Sequence, residues 1–401
     1  MKRVNPIFWF IIFQWIIATG TFVVADLSRS SDTLYCGLFF IAFFSFLLGA
    51  NITTRRFNTK ERYQHFFNLP LEDDHKLTKQ LIYIVVIISA VISLLYYYAV
   101  GYNLFSDVVF GKVIPDFKSA RLASYSGQNY YAPGYVNQFK NILLPVGLYV
   151  ICLWLWFGGR RSLFYWVSSL TIVLCLYVLL GTGQRAPFVY SFVTCLFGLG
   201  TITKIRLDWL ISGTVLVIAL FGVFSVLNGR TESMGPFSMV ESFVTRIFVN
   251  DQQEGLWGFR HILGLENAWF SDWGLGLLGI LPNHSGSPLA HELYFLLHGT
   301  ARGTSGLSTV GSAFHNGGLA LVLVFYFLLG CFYSIVFNRL LSGRRTVLRG
   351  MSYGGLIFIL SVFVSGAPVV LLKKGLLAFL LLITIRKLRI IPVTITDKRP
   401  T

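Results

Sequence analysis

Residues 317–337 read GGLALVLVFYFLLGCFYSIVF, without one charged side chain. A backbone that crosses lipid must satisfy its own N–H and C=O groups, and about 20 apolar residues rising 1.5 Å each cover the hydrocarbon as a helix. Similar runs occupy residues 7–24, 34–50, 80–100, 141–157, 162–180, 186–202 and 209–227. The alternating pattern of a membrane barrel, in segments of about ten residues, is absent. The chain has 401 residues, 55% hydrophobic and only 12% charged, which is more apolar surface than one soluble core needs. The expected fold class is an all-α polytopic integral membrane protein, a single membrane domain over residues 1–401. Lys2 and Arg3 before the first run imitate a signal peptide, but Ile7 to Val24 is long for that role and the charge pattern needs it retained.

Residues 351–385 are interrupted by Ser365-Gly366-Ala367-Pro368 and then by Lys373 and Lys374. They fit either one span and a stub, or two spans turning at Gly366-Pro368. Charge selects the second. With two spans, the loops on one side carry most of the 33 basic residues, among them Arg55, Arg56, Arg160, Arg161, Arg344 and Arg345, and the tail with Arg386, Lys387 and Arg389 joins them. The positive-inside rule then gives about ten transmembrane helices with both termini cytoplasmic. The net charge of +16 is thus a topology signal, and no nucleic-acid partner is needed to explain it.

The inner loop over residues 51–79 contains Glu72-Asp73-Asp74-His75, which reads as a solvated connector among basic residues rather than a metal–nucleotide site. Cys36, Cys152, Cys175, Cys195 and Cys331 all fall in apolar runs without metal-ligand spacing and read as small core residues.

Two outer segments are large. The first, residues 101–140, interleaves Lys112, Lys118, Arg121 and Lys140 with Tyr102, Tyr125, Tyr130, Tyr131 and Tyr135. Cations beside aromatic faces suit a phosphorylated sugar, with Arg121 a candidate contact; a tyrosine rim at headgroup level is the alternative. The second, residues 228–316, carries Arg230, Arg246, Arg260, His261, His284, His291, Glu292, His298, Arg302 and His315. Within it Pro236–Asn250 has the apolar spacing of an amphipathic helix lying along the interface, and Leu275–Leu281 is too short to span.

Arg185 sits in the short turn Gly181-Thr182-Gly183-Gln184-Arg185-Ala186-Pro187, and Arg230 ends the span before the long loop, so two guanidinium groups share one depth. Lys373 and Lys374 fall inside the last apolar run, roughly 8 Å down its helix at 1.5 Å per residue. Charges at such depth face a partner or snorkel to the surface, and a lipid diphosphate would be such a partner. Glycines flank Arg302 in Gly299-Thr300-Ala301-Arg302-Gly303, which lets backbone N–H groups approach an anion. His315 just before a span, and His291 beside Glu292, are candidate general bases for a sugar hydroxyl. No Asp-x-Asp, Walker loop or His-Glu-x-x-His helix occurs, so neither a metal nor a cofactor is expected.

Gly183-Gln184-Arg185 opening a span, and Gly303-Thr304-Ser305-Gly306, Gly311-Ser312 and Asn316-Gly317-Gly318 leading into another, on a ten-span layout with a long outer loop, resemble the Wzy-type O-antigen polymerases. His315-Asn316 before the glycines looks like an element of the related O-antigen ligases. The resemblance implies a membrane fold similar to the C-type glycosyltransferases and a bacterial inner-membrane location with the active site facing the periplasm. It implies metal-independent polymerisation of undecaprenyl-diphosphate-linked oligosaccharide repeat units, which serve as donor and acceptor, with membrane lipid and a chain-length regulator as partners. The family's outer-face arginines carry over to Arg185, Arg230, Arg246 and Arg302, and His315 is chosen over His291 as base, which makes His315, Arg302, Arg185 and His291 the catalytic candidates. Arg230, Arg246, Arg260, Lys373, Lys374 and Arg121 are the substrate-binding candidates, the last four from the reading of the residues above. A ligase moving finished glycan to an acceptor, and a lipid-linked oligosaccharide flippase, are the alternatives; a flippase calls for charges along mid-span positions, whereas here they gather at span ends.

Overall fold

The computed structural model describes residues 5–111, 133–184, 186–203, 241, 244–281, 286–299 and 305–387, and among these it is helical without any strand. In chain order come α1 (Pro6–Val24), α2 (Ser30–Arg56), α3 (Thr59–Asn68), α4 (Lys76–Val100) and α5 (Leu104–Val109). Next are α6 (Tyr135–Phe157), which includes a π-helical turn at Phe139–Leu143, then α7 (Arg161–Leu180) and α8 (Ala186–Ile202). A π-helical turn at Arg246–Asn250 leads into α9 (Asp251–Ile262), followed by α10 (Ser271–Leu278), α11 (Leu289–His298), α12 (Thr309–Leu341) and α13 (Val347–Ser361). The last limb is α14 (Val369–Leu371), a π-helical turn at Leu372–Leu376, and α15 (Leu377–Lys387).

Six of these, α1, α2, α4, α6, α7 and α12, are long and apolar enough to cross a membrane, and α8 and α13 are shorter apolar helices. The span expected at residues 209–227 lies outside the described residues. Ile84, Ile87, Val91, Leu94 and Leu95 of α4 are exposed together, a surface that suits lipid and not water. α13 is the opposite case, with all 15 of its residues buried at the centre of the bundle.

Small residues set the closest contacts. A Cβ at Gly49 of α2 would collide with the Phe327 carbonyl of α12, and one at Gly330 of α12 with the Phe46 carbonyl of α2. Where both surroundings are apolar, helices associate by such close approach and by hydrogen bonds across the seam. Ser334 donates to the Ala50 carbonyl at 3.1 Å across this seam, and Thr59, the first residue of α3, donates to Asn338 of α12 at 3.0 Å. α8 meets α13 in the same way, a Cβ at Gly354 coming within 2.5 Å of the Gly198 backbone.

The bundle has two unlike ends. At the basic end, the Arg345 guanidinium donates to the carbonyls of Phe67, Leu69 and Ile202, tying the turn before α13 to α3 and α8; its burial lowers its pKa from the usual arginine range. The connector before α4 is exposed at Glu72, Asp73 and His75, as expected. Asp74 departs from that expectation: it is buried and accepts from the Trp154 indole at 2.8 Å and the Leu348 N–H at 2.9 Å, so its charge pins three elements. Cys36, Cys152 and Cys175 are buried and Cys195 and Cys331 half-buried, all as free thiols.

At the other end, here the loop end, the chain turns back between α13 and α14 through Gly366, whose φ of +85° favours glycine. That tip is bonded to the segment entering α12, Gly366 N–H to the Leu307 carbonyl at 2.8 Å and Thr309 N–H to the Val364 carbonyl at 3.1 Å. Of the helix expected over Pro236–Asn250, residues 236–240, 242 and 243 lie outside the described residues, and the rest is helical. Its described part continues through the π-helical turn into α9 and docks on α1, where a Cβ at Gly20 would lie 2.7 Å from Gln252 and 2.8 Å from the Phe248 carbonyl. The absence of a side chain at Gly20 is what admits it.

Replacing Gly330 by leucine should cost at least the ~1–3 kcal/mol typical of overpacking, because backbone rather than a movable side chain is in the way. A Cβ at Gly37 meets nothing within 4 Å, so Gly37→Leu is the control. Thermal melting in detergent should separate the two variants, and equal melting temperatures would refute the tight α2–α12 seam.

Candidate functional site

The loop end gathers its chemistry around a break in α12. Ser308 caps the helix, its hydroxyl accepting from Gly311 N–H at 3.0 Å while Tyr35 donates to it at 2.7 Å. Two turns later the backbone leaves helical geometry at Gly317 and Gly318, the latter at φ +62° and ψ −158°, a region open to glycine alone. The break strips the His315 and Asn316 carbonyls of their intrahelical donors. They are met from outside, by Ala268 N–H at 2.8 Å and Phe270 N–H at 3.1 Å. To present those donors, Trp269 and Phe270 adopt left-handed φ of +45° and +69°, which costs non-glycine residues about 1–2 kcal/mol each.

Asn316 locks this arrangement. Its side chain is fully buried, accepts from Trp273 N–H at 3.2 Å, and donates to the Ser312 carbonyl at 2.9 Å and to Asp272 at 3.4 Å. The Trp273 indole donates to Ser312 at 2.9 Å, and Ser287 donates to Asp272 from the other side. α10 is thereby fixed against the start of α12. Its Gly276 also packs on α14, a Cβ there reaching Val369 at 3.3 Å, so α10 straps the α12 break to the limb that carries Lys373 and Lys374.

His315 is 7% exposed and lies in the wall of a recess of about 480 Å³ shared with Ile262, Leu265, Glu266, Asn267, Trp269 and Phe314. Such a recess admits a polar ligand beside a histidine with a carboxylate, Glu266, on its rim.

His291 stands exposed on α11. Neighbours one residue apart on a helix point different ways. Glu292 faces His261 at 3.3 Å, linking α11 to α9. Glu254 does the same two turns earlier on α9, accepting from Ser305 at 3.0 Å and facing His298 at 3.6 Å.

The cations separate into two groups. Arg246 is exposed and meets Asp251 at 3.6 Å; burial raises the Asp251 carboxyl above its usual range, with Arg246 opposing that effect. Arg260 grips Asp32 with two donors, Nε at 2.8 Å and Nη2 at 2.6 Å, and rests over Trp257. That bidentate pair balances its charge inside the protein and raises its pKa further. Arg260 therefore fastens α9 to the start of α2.

Lys373 and Lys374 are not on the continuous last helix that was expected. Gly375, at φ +122°, breaks the limb just after them, and the Gln138 side chain of the segment entering α6 repairs the break. Its amide donates to the Leu372 carbonyl at 2.9 Å and the Lys373 carbonyl at 3.1 Å, and its oxygen accepts from Ala378 N–H at 3.3 Å. Lys373 is exposed at this point, and Lys374 lies over the Tyr190 ring at 5.9 Å. Arg121, Arg185, Arg230 and Arg302 lie outside the described residues. Among those described, His, Cys, Asp and Glu form no group able to hold a metal ion.

Asp272, Glu266 and Gln138 escaped the sequence reading. The signal for Gln138 was its partner, an isolated glycine behind two lysines in an apolar run. No family model, curated protein or solved structure matches the chain.

Gln138→Leu leaves two carbonyls and one N–H inside the bundle without a protein donor or acceptor, at a cost of about 1–3 kcal/mol for each group left unsatisfied. Hydrogen exchange should show the Ala378 amide losing protection while amides of α13 keep theirs. Unchanged exchange at Ala378 would mean that Gln138 does not hold the break.

Proposed function

We propose that the chain is a membrane glycosyltransferase that polymerises undecaprenyl-diphosphate-linked oligosaccharide repeat units at the outer face of a bacterial inner membrane. The observation that carries this reading is His315, held by a glycine break at the wall of a recess of about 480 Å³ at the loop end. Exposed Lys373 stands on a limb strapped to that break, and the arginine-rich loops around Arg344 and Arg345 gather at the opposite end, as an outward-facing site requires.

In the reaction, His315 takes the proton of an acceptor hydroxyl on one lipid-linked repeat unit. That oxygen bonds to the anomeric carbon of the growing glycan as its bond to the lipid diphosphate breaks. Lys373 and Lys374, with Arg185, Arg230 and Arg302, stabilise the diphosphate that leaves, an electrostatic contribution of several kcal/mol. Arg260 positions α9 through Asp32, and His291 is the alternative base.

Purified protein given lipid-linked repeat units and nothing else should produce a ladder of lengthening glycans. His315→Ala should slow the ladder by about 10²- to 10⁴-fold, the range for a general base, with the yield of folded protein unchanged. No ladder from the unaltered protein, or a full-rate ladder from His315→Ala, defeats the reading. A single transfer to a lipid A core or a protein acceptor would instead identify a ligase.

A further inference from the structure

Lys140 lies in the π-helical turn at the start of α6 and is 2% exposed. Its ammonium sits 4.5 Å from the centroid of the Tyr96 ring and 5.4 Å from that of Tyr97, at the last turn of α4. Tyr102 and Tyr177 pack on the same cluster. Among the described residues no charged group acts on it. Taking an ammonium out of water is costly, and aromatic faces offset that only in part because they carry no full counter-charge. The cage is therefore incomplete as an environment for a cation.

A second polar group is left over at the same place. Thr182 is 3% exposed and its hydroxyl has no hydrogen-bond partner. Tyr97 is the wall common to both: its ring receives Lys140, and its hydroxyl donates to the Val178 carbonyl at 2.5 Å and faces the Thr182 backbone. The turn reaches this position because Gly181 has no side chain; a Cβ there would stand 2.6 Å from the Tyr97 ring and strike Asn103. An ammonium at the Tyr97 ring, and an unpartnered hydroxyl on the residue whose backbone meets the Tyr97 hydroxyl, both without a counterpart among the described residues, call for an anion that also accepts hydrogen bonds. The cage stands where α4 and α7, both of spanning length, reach their ends, which is the depth of lipid phosphates.

We infer that Lys140 and Thr182, walled by Tyr96 and Tyr97, bind a phosphate group carried by a lipid, either a phospholipid headgroup or the phosphate of a lipid-linked sugar. The site goes beyond the sugar-transfer reading and stands without it.

The test uses the full chain in a phosphate-free maltoside detergent, with farnesyl diphosphate, phosphatidylglycerol and farnesol as probes and affinity as the readout. The unaltered protein should bind one of the phosphate lipids at least about tenfold more tightly than farnesol. Lys140→Met should abolish that preference and Thr182→Val should reduce it several-fold, with farnesol affinity unchanged in both, an invariance that a merely structural role would not preserve. Tighter binding of farnesyl diphosphate than of phosphatidylglycerol marks a lipid-linked phosphate as the occupant, and the reverse marks a headgroup. Should Lys140→Met fail to fold, Thr182→Val, which removes only an unpartnered hydroxyl, carries the test. The inference falls if the unaltered protein does not distinguish phosphate lipids from farnesol, or if the folded variants keep the preference. No sugar substrate is present, so a chain that makes no ladder still answers this question.

Discussion

A peptide group released from a helix in an apolar bundle has to find a partner within the protein, and this constraint shapes the whole loop end. The chain departs from helical geometry at Gly317-Gly318, at the Gly366 turn and at Gly375. Each departure is answered by one specific donor or acceptor. The 268–270 segment meets the first, the Leu307 and Thr309 backbone meets the second, and Gln138 meets the third. Because the answering groups come from distant parts of the chain, the breaks join elements together. α10 is held at its α12 side by Asn316 and at its far side by Val369, so the two broken helices share one strap.

The strain at Trp269 and Phe270 belongs to the same economy. Two non-glycine residues in left-handed geometry persist only where the surroundings over-determine them, and here the carbonyls of His315 and Asn316 do so. The rigid pair α2 and α12 supplies the frame. Gly49 and Gly330 bring those helices to backbone contact, and the hydroxyls of Ser334 and Thr54 close the seam. A long helix with a rigid lower half and a broken upper end thus holds His315 at the recess.

How legible this was in the sequence follows from what each feature depends on. Spans depend on composition over about 20 residues, so α1, α2, α4, α6, α7 and α12 were readable, while α8, read as a span, is a shorter apolar helix; the turn at Gly366-Pro368 was readable from charge. His315 was singled out because it precedes two glycines. Its locking by Asn316 and Asp272 was not, since that depends on residues about forty positions apart meeting in space. The His261–Glu292 contact was not legible either, because it joins residues 31 positions apart on two helices. Arg260 was legible as a cation and not as the partner of Asp32, because the acid lies at the start of α2, far away in the chain. Asp74 looked solvated among basic neighbours and is buried, for a tryptophan N–H and a helix N–H reach it from elements the local sequence does not contain.

Residues 138–140 connect the two lysine-bearing features of the loop end. Gln138 holds the carbonyls of Leu372 and Lys373, and Lys140, two positions on, enters the tyrosine cage. The π-helical turn beginning at Phe139 separates these side chains, and its wider backbone lets one reach the broken limb while the other turns to α4. A π turn is a costly way to run a helix and is found mostly where a side chain must be re-aimed. Here it aims Gln138 and Lys140 at different partners from nearly the same place. Any movement of that turn must therefore alter the repair of the Gly375 break and the setting of Lys140 together, which makes the start of α6 the point through which an anion in the cage would be felt at Lys373 and Lys374.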